Sequence, residues 1–225
     1  NTPVATITAN INRGVNGEDN RAVESNLGNL IADAQLWSTS ANGAQIAFMN
    51  PGGVRANLIY AQSAGEGDGV VTFAEAFAVQ PFGNTLITFP MTGAQIISVL
   101  QQQCQPAGLS RPFLHLGVSQ GFAYDLSVAF GLVDHDNNPV TPPVNSCVSV
   151  SVTNVKLNGV PLDPAATYMV TVNNFLADGG DNFTTFRTVT APRLDGGNDL
   201  LAFINFLGSF SPVAPPGRDR VNELP

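Results

Sequence analysis

The stretch Asn173-Asn174-Phe175-Leu176-Ala177-Asp178-Gly179-Gly180-Asp181-Asn182-Phe183 carries more information than any other part of this 225-residue chain. It follows a strand-like run, Tyr168 to Val172, and sets two adjacent glycines between an aromatic residue and a carboxylate. Glycine permits positive φ and close backbone approach, so Phe175 and Asp181 can fold back onto one small volume. An aromatic face beside a fixed carboxylate suits a ligand with a flat ring and vicinal hydroxyls, which describes a nucleoside. The other reading of the segment is a Gly-rich hairpin with a core phenylalanine.

The elements around this stretch mix without a strict βαβ rhythm, so α+β fits better than a doubly wound sheet. Val23, Leu27, Leu30, Ile31 and Ala34 recur at helical spacing, which predicts an amphipathic helix from Val23 to about Ser40. Gln45 to Met49 reads as a short buried strand stopped by Asn50-Pro51-Gly52-Gly53. Thr72 with Glu75 and Thr92 with Gln95 have capping-box spacing, predicting helices over Phe73–Val79 and Gly93–Cys104 with a strand at Thr85–Phe89 between them. Gly121–Ser127 and Val148–Leu157 alternate like half-exposed strands, and Asn158-Gly159 signals a tight turn. A last helix is expected over Asn198–Ser209, followed by a Pro-rich Ser211–Gly217 segment read as the start of an extended tail, residues 211–225.

Hydrophobic content of 44% is enough for a real core in one large or two small domains. The net charge of −8, with a single lysine, argues against a nucleic-acid polymer as partner, because neutralising phosphates needs clustered cations. It equally disfavours an anionic membrane surface. No apolar run reaches membrane-spanning length. The chain opens on Asn1-Thr2-Pro3 without a signal peptide, as a processed or excised piece would. Low charge with abundant Asn, Thr, Gly and Pro points to a secreted, periplasmic or cell-surface setting. Cys104 and Cys147 are too few and too far apart for a zinc site; they either pair, as export would favour, or sit as small buried hydrophobes.

Catalytic machinery is not legible. His115 and His135 each lack a second histidine at ligand spacing, so a dinuclear metal site has no anchor. Asp134, Asp136 and Asn138 imitate the start of a calcium loop, but Pro139 and Asn145 occupy the places of its glycine and bidentate glutamate, so the segment reads as a polar turn. Neither a nucleophile elbow nor a phosphate loop is present. Binding groups are better represented. Asn50-Pro51-Gly52-Gly53-Val54-Arg55 sets a carboxamide, two glycines and a guanidinium in one turn, a candidate anion site, and Arg21 precedes the first helix. Gln80-Pro81-Phe82-Gly83-Asn84 raises a second aromatic on a turn. Each of these also has a plain reading, as surface arginines and a core phenylalanine.

Taken in order, Arg21-Ala22-Val23-Glu24-Ser25-Asn26-Leu27-Gly28-Asn29-Leu30-Ile31, Asn50-x-Gly52-Gly53-x-Arg55, Gln80-Pro81-Phe82-Gly83-Asn84 and Asn174-Phe175-Leu176-Ala177-Asp178-Gly179-Gly180-Asp181 resemble the signatures of the C-terminal domain of the 5′-nucleotidase family. That family takes in UDP-sugar hydrolases and 2′,3′-cyclic-nucleotide phosphodiesterases. The resemblance implies a four-layer α/β/β/α sandwich as a single substrate-binding domain, with its core at about residues 5–190, and fades after about Phe186. It implies that Phe82 and Phe175 sandwich a base, Asp181 accepts ribose hydroxyls, and Arg21, Asn50 and Arg55 hold phosphate beside Gly52 and Gly53. The partner is then a nucleotide or nucleoside. Two divalent metals and the catalytic groups belong to an N-terminal metallophosphatase domain of which this sequence has no trace, so no catalytic residue and no cofactor is expected here. Pro51 and Asn182 depart from the family pattern, both standing where glycine is usual. A cyclic-nucleotide or nucleotide-sugar specificity, or a binding or scaffold module that has lost nucleotide recognition, are the alternatives.

Overall fold

A computed structural model describes residues 2–63, 65–136 and 142–225; Asn138 and Pro139 of the imitation calcium loop lie outside them. The elements run β1 (Pro3–Thr6), α1 (Asn26–Ser38), β2 (Ile46–Met49), β3 (Val70–Thr72), α2 (Phe73–Val79), β4 (Thr85–Thr92), α3 (Gly93–Gln101), β5 (Gly117–Val118), β6 (Phe122–Val133) and β7 (Val144–Leu157). They continue with β8 (Val160–Pro161), β9 (Thr167–Asn173), α4 (Asn174–Ala177), α5 (Thr184–Arg187), β10 (Leu194–Asn198), α6 (Asp199–Ser209) and β11 (Val221–Glu223).

Two sheets dominate. A five-stranded sheet has the order β10-β4-β9-β2-β5, and a four-stranded sheet the order β11-β6-β7-β8; β1 and β3 form a separate pair. All four residues of β2 are buried because the strand is covered on both faces. Ile46 and Phe48 point into a core shared with the four-stranded sheet and α3. Ala47 and Met49, alternating with them, point into a second core with α1 and α6. The sheets touch directly through Phe48 on β2 and Phe122 on β6, whose rings meet edge to face at 5.4 Å. α3 packs on β4 and β7 at once. The fold is the mixed α+β arrangement of paired sheets and helices that the family resemblance implies.

Both capping boxes form, at Thr72–Glu75 and Thr92–Gln95. The first helix starts at Asn26 rather than Val23, because the Ser25 hydroxyl accepts from the Gly28 amide and fixes the cap there. The Gly93 helix stops at Gln101, three residues before Cys104. Cys104 and Cys147 are disulfide-bonded, Cα to Cα 5.4 Å, tying the chain just past α3 to β7. The C-terminal segment read as an extended tail is built into the fold. Val213 bridges Ile7, β11 pairs in parallel with β6, and Arg220 grips both oxygens of Asp33 at 2.7 Å.

Candidate functional site

Sheet topology, not sequence proximity, brings the quoted turns together. β2 and β9 are adjacent and parallel, so their carboxyl ends open at the same edge. Asn50–Arg55 follows one and Asn174–Phe183 the other. β4 runs antiparallel to β9, with Leu86 opposite Asn173, so the turn that precedes β4, Pro81–Asn84, reaches that edge from its amino end. The cleft at that edge is about 400 Å³ and is lined by Arg21, Asn50, Gly52, Gly53, Phe82, Asn84, Phe175 and Asp181. That volume falls in the small-molecule range of about 300–1,000 Å³.

The aromatic pair is unlike the core phenylalanines. Phe82 is 58% exposed and Phe175 44%, whereas Phe48, Phe89, Phe183 and Phe186 are fully buried. Phe175 sits in the first turn of α4, whose cap is Asn173. Its ring lies on the Gly180 backbone so closely that a β-carbon there would come within 2.4 Å of it. A side chain at Gly180 would displace the half-exposed Phe175 ring, while Gly179 is called for by its left-handed backbone, φ 86°. Gly52 serves likewise as open floor: a β-carbon would stand 3.1 Å from Arg21 Nη1 and 3.2 Å from Asp181 Oδ2.

A chain of carboxamides fixes Asp181. The Leu176 amide donates to Asn173 Oδ1, Asn173 Nδ2 donates to Asn50 Oδ1 at 3.0 Å, and Asn50 Nδ2 donates to Asp181 Oδ2 at 2.8 Å. Asn50 and Asn173 are buried, so the relay is shielded from water. From the other side Gln105 Nε2 donates to the Asp181 carbonyl and Gln105 Oε1 accepts from Asn182 Nδ2. Asp181 and Asn182 both have left-handed backbones, φ 53° and 62°. Asparagine tolerates that region, which accounts for Asn182 at a place where the family favours glycine.

The Asn50–Arg55 turn offers fewer free donors than the sequence suggests. Pro51 has no N–H, Gly53 donates to Asn50 O, and Val54 to Pro51 O, leaving the Gly52 amide for a ligand. Arg21 lines the cleft, held by the His115 amide on its carbonyl and by Asp19 Oδ1, 3.2 Å from its Nε. Arg55 does not line it. Its guanidinium lies 5.8 Å from the centre of the Phe82 ring and donates to Gly52 O, so it backs the aromatic wall by a cation–π contact.

Sequence reasoning did not assign Asn84, Asn173, Gln105, Asp19 or Asp199. Asn84 lines the cleft and donates to Asp199 Oδ2 at 3.0 Å. Asp199 opens α6, and burial pushes its carboxyl up despite the bonds from Asn84 and the Leu200 amide. Asn173 was legible as a strand-to-helix cap; Gln105 and Asp199 carry no local signal. No group of three or more His, Cys, Asp or Glu able to hold a metal exists among the described residues. His115 is buried and its Nδ1 faces Leu116 O. These residues do not fit the family's dinuclear metal centre, and no step through a metal can be built on them.

The profile of the family described as "5′-nucleotidase, C-terminal domain" matches residues 3–188. The cell wall protein Lmo0130 of Listeria monocytogenes is 37% identical over 195 residues, 84% of this chain and 22% of that protein. The trifunctional nucleotide phosphoesterase protein YfkN of Bacillus subtilis is 32% identical over 206 residues, 91% of this chain and 13% of its own length. Among solved structures, the 5′-nucleotidase precursor of Thermus thermophilus superposes with a TM-score of 0.70 at 31% identity, over 99% of this chain and 39% of the other. The chain thus spans well under half the length of each of these proteins. With its profile match running from β1 through α5, the chain belongs to the 5′-nucleotidase C-terminal domain family.

Proposed function

We propose that this chain is the nucleotide-recognition part of an exported phosphohydrolase of the 5′-nucleotidase type, and that it binds without cleaving. The observation that carries the reading is the convergence of Phe82, Phe175, Asp181, Asn50 and Arg21 on one cleft. Two half-exposed rings offer π-faces to a base, worth about 1–3 kcal/mol per stacked base. The Asn50 bond occupies one oxygen of Asp181 and leaves the other for a hydroxyl. Arg21 and the Gly52 amide supply charge-assisted donors for a phosphate. Cleavage would rest on divalent metals and acid–base groups in another part of the full protein. Export is supported by the disulfide, which persists in oxidising compartments, and by the Listeria relative's description as a cell wall protein.

Calorimetric titration of the purified chain with adenosine and AMP tests the binding half. Absence of any heat for either ligand would refute it. Incubation with AMP and added manganese or zinc tests the other half, where sustained phosphate release would contradict a purely recognitive role.

A further inference from the structure

The turn that follows α3 divides its side chains between the two halves of the fold. Gln103 and Cys104 reach the four-stranded sheet. Gln103 Nε2 donates to the Tyr124 hydroxyl on β6 at 3.0 Å, its Oε1 accepts from the Leu116 amide at 2.8 Å, and Cys104 is bonded to Cys147 on β7. Gln102 and Gln105 reach the segment that follows β9. Gln102 Oε1 accepts from the Thr185 amide at 3.2 Å and its Nε2 donates to Thr184 Oγ1 at 3.0 Å. Gln105 Nε2 donates to the Asp181 carbonyl at 3.0 Å and its Oε1 accepts from Asn182 Nδ2 at 2.9 Å. Gln105 is buried and also donates to the Gln102 carbonyl at 2.9 Å, so its carboxamide is held in one orientation.

These contacts fall on the part of the loop that needs them. Asp181 and Asn182 are consecutive left-handed residues, φ 53° and 62°, a conformation that non-glycine residues keep only where the surroundings hold it. Asn50 fixes the Asp181 carboxylate from one side, and Gln105 fixes its backbone from the other. Neither Gln105 nor Cys104 lines the cleft. The covalent tie to β7 sits on the residue next to Gln105 in sequence.

We propose that Gln105 and Gln102 are positioning residues for Asp181 and that the Cys104–Cys147 bond keeps them in place, so that the preference of this chain for ligands with vicinal hydroxyls depends on a disulfide outside the cleft. The inference rests on the nucleoside reading above. Asp181 selects hydroxyls only while its free oxygen is held at one place, because a hydrogen bond weakens steeply once its distance and angle are lost. A base stacked on Phe82 and Phe175 carries no such requirement, so the two halves of a nucleoside respond differently to a loosened loop.

The test is calorimetric titration of the folded chain with adenosine and 2′,3′-dideoxyadenosine, which share the base and differ in the hydroxyls. The parent is expected to bind adenosine about tenfold or more tightly than the dideoxy compound, since hydrogen bonds to a charged group are among the stronger ones. Gln105→Ala and the double variant Cys104→Ser, Cys147→Ser should each remove most of that preference through adenosine alone, with dideoxyadenosine affinity unchanged. Combining all three substitutions should cost no more than Gln105→Ala does, because the disulfide acts through that side chain. Equal affinities of the parent for the two nucleosides, equal losses of both in a variant, an unchanged preference, or losses that add would each overturn the proposal. Should Gln105→Ala not fold, Gln105→Glu carries the same test: it keeps the acceptor for Asn182 and lacks the donor to the Asp181 carbonyl. Hydrogen exchange at the Thr185 amide reads the clamp without any ligand. The double cysteine variant should speed it about tenfold, and an unchanged rate overturns the clamp. A parent chain that binds neither nucleoside refutes the nucleoside reading, and the exchange rate then decides the clamp by itself.

Discussion

Asn50 and Asp181, 131 residues apart in sequence, meet through a 2.8 Å bond from the Asn50 amide to Asp181 Oδ2. The contact depends on the parallel pairing of β2 with β9, which places both loops at one sheet edge. Asn50→Ala leaves Asn173 Nδ2, in a buried position, with only the weakly accepting Met49 sulfur at 3.7 Å, at a cost of up to about 1–3 kcal/mol. Asn50→Asp sets two carboxylates against each other. The expected outcome is a larger destabilisation at pH 7 than at pH 4, where protonation of one acid removes the repulsion. Urea unfolding of the parent and both variants at the two pH values checks it, and a pH-independent effect of Asn50→Asp would argue that the two side chains do not interact.

Phe82→Ala and Phe175→Ala should weaken nucleoside binding while leaving the fold intact. Both rings are about half exposed, so little core is lost, whereas stacking is worth about 1–3 kcal/mol, or roughly five- to 150-fold in affinity. Truncating the fully buried Phe48 or Phe186 should instead cost about 3–5 kcal/mol of stability. Adenosine titration and melting curves on the four variants separate the roles. A collapsed melting temperature in Phe82→Ala or Phe175→Ala with unchanged affinity would return that residue to the core.

Phosphate-end arginines should not behave alike. Arg21→Ala is expected to weaken AMP and spare adenosine, with the difference shrinking at high salt. Arg55 backs the Phe82 ring and the Gly52 carbonyl, so Arg55→Ala should weaken adenosine and AMP by a similar factor, through the aromatic wall. An AMP-specific, salt-sensitive loss in Arg55→Ala would put its guanidinium on the phosphate instead.

Local chemistry made much of this legible. Capping boxes, the Asn158-Gly159 turn and the buried β2 run are short-range signals, and they lie where spacing puts them. Phe82, Phe175, Asp181 and Asn50, singled out for their glycine and turn neighbours, line one cleft. Arg55, which the motif assigns to phosphate, has its guanidinium 5.8 Å from the centre of the Phe82 ring, a packing relation that no spacing rule reports. Gln105 and Asp199 were invisible for a different reason: Gln105 follows α3, which packs on β7, and Asp199 opens α6, which packs mainly on α1 and β1, positions fixed only by long-range packing. The C-terminal segment misled for the same cause. Its prolines read as a free extension, and its anchoring depends on Arg220 meeting Asp33 across 187 residues.

The disulfide closes a loop with a sequence separation of 43 residues. For that length the chain-entropy model gives about 4 kcal/mol, an upper figure. The double variant Cys104→Ser, Cys147→Ser should lose up to that amount and still fold, because α3, β6 and β7 share a core with the five-stranded sheet. Guanidinium unfolding measures the difference. Intact mass after alkylation of unreduced, denatured protein checks the pairing itself, where two modified thiols would show that the bond does not form.

His115 gives the fold an acid limit next to Arg21. The ring is fully enclosed, its Nδ1 can serve the Leu116 carbonyl only as a donor, and its Nε2 has no partner among the described residues. Burial lowers its pKa from 6.5 to about 4, against the opposing pull of the Leu116 carbonyl. A folded pKa below the unfolded one means the unfolded chain binds the extra proton across that interval. The contribution is therefore fully present above pH 6.5 and is lost as pH falls from 6.5 to about 4. Integrated over the window it amounts to about 3 kcal/mol. Glu24 and Asp199, whose carboxyls burial raises, act with the opposite sign, so the absolute pH profile mixes the effects and the comparison needed is with His115→Gln. The variant's stability should gain on the parent by up to that amount as pH is lowered through the window. Parallel stability curves for the two proteins between pH 4 and 6.5 would show that the ring is not the group that titrates.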